Sequence, residues 1–130
     1  HPLVATHSNV HKICPHTRNL TDKQLDAIKE TKGMVGVNFA PAFLRKDGKM
    51  LANTDIQLIA DHLKYLIEYI GEDFVGLGSD FDGAMMPKDL NSVLGMSKLN
   101  QLLIKQGFDE KLMNKVLHQN WIDLIKRILK

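Results

Sequence analysis

Phe74-Val-Gly-Leu-Gly-Ser-Asp-Phe-Asp-Gly83 is an apolar, glycine-punctuated run that ends on a carboxylate, Asp80. It reads as a strand with an acid at its C-terminal tip. The same layout occurs earlier, where Leu3-Val-Ala-Thr-His7 is a short apolar strand that ends on an imidazole. An α/β barrel builds its site this way, with a metal ligand and an acid/base group each delivered at the C-terminal end of a parallel strand.

Outward from these two stretches the chain divides into three βα units. Strand 3–7 is followed by a polar loop, 8–20, and a helix near 22–31. Thr21 and Gln24 form a capping-box pair at the start of that helix, and Gly33 sits just past its end. Strand 34–39 leads through loop 40–53 to a helix near 55–70, with Thr54 and Gln57 repeating the capping box. Ile56, Ile59, Leu63, Leu66, Ile67 and Ile70 give that helix a broad apolar face. Strand 74–79 leads through loop 80–96 to a helix near 98–106 that Gly107 stops, and helices near 110–119 and 121–129 follow. Trp121, Ile122, Leu124, Ile125 and Ile128 show core-type patterning in the last of these. The strands are short apolar runs rather than alternating ones, so both faces are expected to be covered, as in a parallel sheet. A closed eight-unit barrel takes about 250 residues. Three units in 130 residues are therefore the last third of a barrel or a small three-layer sandwich.

Composition narrows the classes. A hydrophobic content of 44% in 130 residues can bury one domain core. Seventeen basic against 15 acidic residues leave a net charge of +2, with no pull toward nucleic acid or an anionic membrane. No apolar run approaches the roughly 20 residues that span a bilayer. Cys14 is the single cysteine, which excludes an internal disulfide and fits a reducing compartment. No charged-then-apolar leader opens the chain, so the expected location is cytoplasmic, subject to any signal on an upstream part. The start on His1-Pro2, without methionine and one step before a strand, reads as a cut edge.

Several groups are candidates for chemistry. His7 at its strand tip is a candidate metal ligand; the plain alternative is a histidine that satisfies a loop carbonyl. His11 and His16 lie in the same loop, but their spacing matches no usual zinc pattern, and they read as surface residues. The Arg18 guanidinium could bind a substrate carboxylate through paired hydrogen bonds, or be an ordinary surface arginine. Asp80 and Asp82 flank Phe81 and would point the same way in an extended segment, as acid/base or metal-linked carboxylates or as a turn cap. A calcium loop fails, because Ala84 and Asn91 occupy later ligand positions. His62, inside a helix beside Asp61, reads as packed, and His118 is unsupported.

Taken in order, Ala5-Thr-His-Ser-Asn9, His16-Thr-Arg-Asn-Leu-Thr-Asp22, Val35-Gly-Val-Asn-Phe39, Ala60-Asp-His62 and Val75-Gly-Leu-Gly-Ser-Asp-Phe-Asp-Gly83 closely resemble the C-terminal part of the membrane (renal) dipeptidase family of zinc metallopeptidases. The resemblance implies an α/β fold, the C-terminal part of a (β/α)8 barrel, with three parallel strands and flanking helices over residues 1–130. It implies a binuclear zinc centre that cleaves dipeptides. By position, His7 resembles the family's last zinc-ligating histidine. Arg18 resembles the arginine that holds the substrate's terminal carboxylate, and Asp80 the strand-end aspartate near the substrate amine and the metal-bridging water. The family's His-x-Asp pair, its bridging glutamate, a further zinc histidine and the histidine that polarises the substrate carbonyl have no counterpart here. Zinc is therefore expected to be absent or incomplete in this chain alone, and the chain inactive by itself. Its open strand edges imply self-association or pairing with the missing amino-terminal part. Two other classes remain in view: a Mg²⁺-dependent phosphatase-like domain using Asp80 and Asp82, and a non-catalytic α/β interaction module.

Overall fold

Met34-Val-Gly-Val-Asn38 is buried at every position, and it forms the central strand of the sheet. The computed structural model describes residues 1–79, 85–90 and 95–129. The predicted Asp80 and Asp82 positions lie outside the described residues. Three strands, β1 (Val4–Ala5), β2 (Met34–Asn38) and β3 (Val75–Ser79), run parallel in the order β1-β2-β3. Ala5 pairs with Val35, and Gly36 with Gly76. The register then shifts, so that Val37 faces Leu77 but Asn38 faces Ser79. Gly78 is the extra residue of this bulge, a device that bends a strand near its tip.

The helices are α1 (Asp22–Glu30), α2 (Pro41–Leu44), α3 (Gln57–Ile70), α4 (Met96–Lys105), α5 (Glu110–Asn114) and α6 (Asn120–Ile128). Ile59, Leu63, Leu66 and Ile70 of α3 bury their side chains with Val35, Val37 and Val75 of the sheet and Phe39 just past β2. Each such side chain contributes about 1.5–3 kcal/mol. The opposite face is glycine-rich, and the Trp121 ring lies on it. A Cβ on Gly36 would stand 2.8 Å from Trp121 Cζ2, and one on Gly76 2.5 Å from Nε1.

Local chemistry explains most boundaries. At α1, Gln24 N–H donates to Thr21 Oγ1 and Thr21 N–H to Gln24 Oε1, which completes the capping box. Past its end, Gly33 N–H reaches Ile28 O at 2.8 Å and Lys32 N–H reaches Lys29 O at 3.1 Å, the paired bonds of a Schellman turn. Lys32, not Gly33, takes the left-handed conformation (φ 52°). Gly33 is needed for another reason: a Cβ there would lie 1.8 Å from Leu3 O.

The second capping box does not form. Gln57 N–H is taken by Asp55 Oδ1, one residue later than expected, while Thr54 Oγ1 donates to Leu51 O. The Gln57 side chain turns instead to Asp61 and Gln106. Strand 3–7 shortens to two residues, and loop 40–53 contains α2. The two C-terminal helices are joined by a π-helical turn, Lys115–Gln119. Ile122, Ile125 and Ile128 are exposed rather than in the core.

Candidate functional site

β1 is short because its end leaves the sheet plane. A Cβ on Gly36 would stand 2.3 Å from Thr6 O, and one on Gly78 2.2 Å from the same oxygen. His7 Cα would lie 2.9 Å from that second Cβ. The Thr6–His7 segment thus crosses the face of β2 and reaches β3 two residues before the sequence position of Asp80. Glycine at 36 and 78 makes the crossing possible, because a side chain at either would meet backbone. Ser8 N–H donates to Gly36 O at 2.9 Å, and Asn38 Nδ2 to His7 O at 3.4 Å, which ties the crossing to β2. Ser79, the last described residue of β3, is held at φ 42°, a left-handed conformation that costs a non-glycine residue about 1–2 kcal/mol.

The His7 imidazole is exposed, and its Nδ1 is 2.8 Å from Thr6 Oγ1. If Nδ1 carries the proton toward Thr6, Nε2 presents its lone pair outward, the arrangement of a metal-ligating histidine. Among the described residues no three His, Cys, Asp or Glu side chains converge as a metal-binding group. The exposed His7 imidazole could supply one donor to a metal.

The loop from Ser8 to Leu20 doubles back on itself, with His11 N–H donating to Leu20 O and Leu20 N–H to Asn9 O. Four side chains then fasten it to the last turn of α2, where a helix leaves its carbonyls without partners. Asn9 Nδ2 donates to Phe43 O at 3.1 Å and to Asn38 O at 2.8 Å, while its Oδ1 accepts from Asn38 N–H at 2.7 Å. Asn19 Nδ2 donates to Phe43 O at 2.9 Å and Cys14 O at 3.0 Å. The Cys14 thiol donates to Ala42 O at 3.3 Å, and burial pushes its pKa up, which keeps it protonated. His62 of α3 completes the set. Its Nδ1 accepts from Val10 N–H, so Nε2 carries the proton and donates to Leu44 O, each at 3.1 Å. Burial pushes the His62 pKa down to about 4, and the ring is neutral at neutral pH.

Arg18 is exposed, and its Cζ lies over the Phe43 ring, 5.3 Å from the centroid. His16 meets the same ring edge-on at 4.8 Å, and Arg18 N–H donates to His16 Nδ1 at 3.1 Å. The structure thus brings Arg18 and His16 together on Phe43, and His7 to β3. The buried asparagines and Phe43 were not among the sequence-level candidates. Pro41 was a usable signal, since proline favours the first position of a helix.

A family model described as membrane dipeptidase (peptidase family M19) matches residues 1–130. The chain belongs to the membrane dipeptidase family. Among similar proteins, an uncharacterized protein in the pqqA 5′ region of Klebsiella pneumoniae is 49% identical over 127 residues, covering 98% of this chain and 47% of that protein. A protein named dipeptidase ataJ from Aspergillus terreus is 32% identical over 128 residues, covering 98% of this chain and 31% of its own length. The crystal structure of a metallo peptidase from Rhodobacter sphaeroides, liganded with a phosphinate mimic of the dipeptide L-Ala-D-Ala, superposes with a TM-score of 0.95 at 51% identity. That match covers 97% of this chain and 36% of the other. The chain thus spans less than half the length of each of these relatives. Among the described residues no helix is long and apolar enough to cross a membrane.

Proposed function

We propose that this chain is one part of a metal-dependent dipeptidase that hydrolyses dipeptides, and that the remainder of the parent protein completes the site. The observation that carries the reading is the Thr6–His7 crossing, which brings the backbone of His7, whose imidazole is exposed, close to β3 in a chain matched along its whole length to a peptidase family. His7 would ligate one of two zinc ions through Nε2, with Nδ1 tied to Thr6 Oγ1. The zinc pair, when bound, supplies a water of lowered pKa and polarises the scissile carbonyl. Arg18 would hold the substrate's terminal carboxylate through two parallel N–H donors. Asp80 would accept a proton from the attacking water and pass it to the leaving amine.

The exposed β1 edge, Leu3 and Val4, and the α6 stripe of Ile122, Ile125 and Leu129 would be covered by the remainder of the parent protein. The share of the relatives' lengths left unmatched supports that occupant.

The test is hydrolysis of dipeptides by the full-length protein, with zinc content measured by mass spectrometry. Chelator-sensitive turnover is expected, with bound zinc reduced in His7→Ala and turnover reduced at least 100-fold in Asp80→Asn, of the order expected for loss of a general acid/base. A full-length protein that cleaves no dipeptide with zinc present would sink the assignment. Chelator-sensitive cleavage by residues 1–130 alone would sink the claim that the chain is incomplete.

A further inference from the structure

The ring of Phe43 is itself held in place before it meets Arg18. The residue is 8% exposed, and its carbonyl accepts from both Asn9 and Asn19. Its ring then receives the Arg18 guanidinium at 5.3 Å and the His16 edge at 4.8 Å, while His16 Nδ1 accepts the Arg18 backbone N–H. Side chain and backbone of Arg18 are thus anchored to one ring assembly. A cation within about 6 Å of an aromatic centroid is attracted by the ring. An arginine free in solvent would lose rotamer freedom when it clasped a ligand.

We propose that Phe43 is a positioning residue for Arg18, holding the guanidinium in a preset place so that a small ligand with a free carboxylate meets it already ordered. The proposal rests on the reading of Arg18 as the carboxylate-binding group. Phe43 does not touch substrate; it acts through Arg18. α2 is the mount for this arrangement, because the side chains that satisfy its last carbonyls also fix the loop that carries Arg18.

The experiment compares a dipeptide with its C-terminal amide as substrates of the full-length enzyme. Phe43→Leu is expected to raise KM for the free-carboxylate dipeptide roughly two- to fivefold, the range of an exposed cation–π contact. kcat and the amide's KM are expected to stay unchanged, and Phe43→Tyr to restore the wild-type KM. Arg18→Ala is expected to abolish the preference for the carboxylate. If Arg18→Ala does so while Phe43→Leu keeps the wild-type KM, the positioning role is overturned alone. If Arg18→Ala keeps the preference, the reading of Arg18 falls and the inference with it. A measurement on the unmodified enzyme covers the case in which Phe43→Leu does not fold. In ¹⁵N-arginine spectra, the Arg18 side-chain protons, identified by their loss in Arg18→Lys, are expected to be displaced by the ring current. A random-coil position would overturn the contact.

Discussion

His62 shows how much one buried side chain can govern. It is 0% exposed and bridges Val10 N–H and Leu44 O, so it joins three segments that are distant in sequence. Its folded pKa, about 4, is depressed from the ordinary 6.5 first by burial, against the pull of the Leu44 bond and Asp61. The unfolded chain therefore binds a proton between these values that the folded chain does not. Stability is complete above about pH 6.5 and falls as the pH drops toward 4, by on the order of 3 kcal/mol. In denaturant titrations from pH 7 to 4.5, His62→Gln should show a pH slope smaller by one proton. Equal slopes in the two proteins would refute this role. The sequence reading of His62 as packed was right about its burial, since the apolar face of its helix is legible. Its partners were not legible, because they are backbone atoms of a loop and a short helix that no local pattern links to α3.

The elements follow local rules where local groups decide, and depart where a neighbouring backbone intervenes. Thr21 caps α1 as its spacing implies, its hydroxyl accepting from Gln24 N–H. Thr54 has the same spacing to Gln57 but donates to Leu51 O and accepts from Arg45 Nη1, so Asp55 takes over the helix start. Leu3–His7 has strand-like composition throughout, yet only Val4–Ala5 stays in the sheet; the glycines that let the rest leave it, Gly36 and Gly78, lie in two other strands. Lys32 at φ 52° is the element-level cost in the turn that ends α1. Lys32→Gly removes the left-handed penalty, partly offset by the greater freedom of glycine in the unfolded chain, and should stabilise the protein by about 0.5–1 kcal/mol. Chemical denaturation would measure it, and a destabilised variant would contradict the turn geometry. The Arg127 bond to Lys32 O involves only backbone at that residue and should persist.

For the whole molecule, three parallel strands with flanking helices agree with the α/β architecture read from the strand spacing. What the pattern could not reveal is which apolar residues lie outside the core. Ile122, Ile125 and Ile128 have core-type periodicity yet are 42%, 53% and 55% exposed, because α6 turns Leu124 and Trp121 inward instead. With Leu3 and Val4 exposed at an open strand edge, residues 1–130 by themselves carry an adhesive surface. Light scattering on that chain should report self-association at tens of micromolar, reduced when Val4→Lys and Ile125→Lys are combined. A monodisperse monomer at all concentrations would contradict this. In the full-length protein the same two substitutions should lower stability instead, since the surface is there proposed to be covered.

The crossing of Thr6 over Gly36 and Gly78 also has a consequence in time. The contact joins the start of the chain to its third strand, and such distant closures come late, after nearer pairings have met their entropic cost. β1 and the Thr6–His7 crossing can settle on β2 first; the close approach to Gly78 is completed only when β3 has arrived. A methyl group at Gly78 should therefore leave the folding rate almost unchanged and accelerate unfolding, which stopped-flow kinetics on Gly78→Ala would read directly. The contact between the β1 end and β3 is then made late in folding and lost early in unfolding.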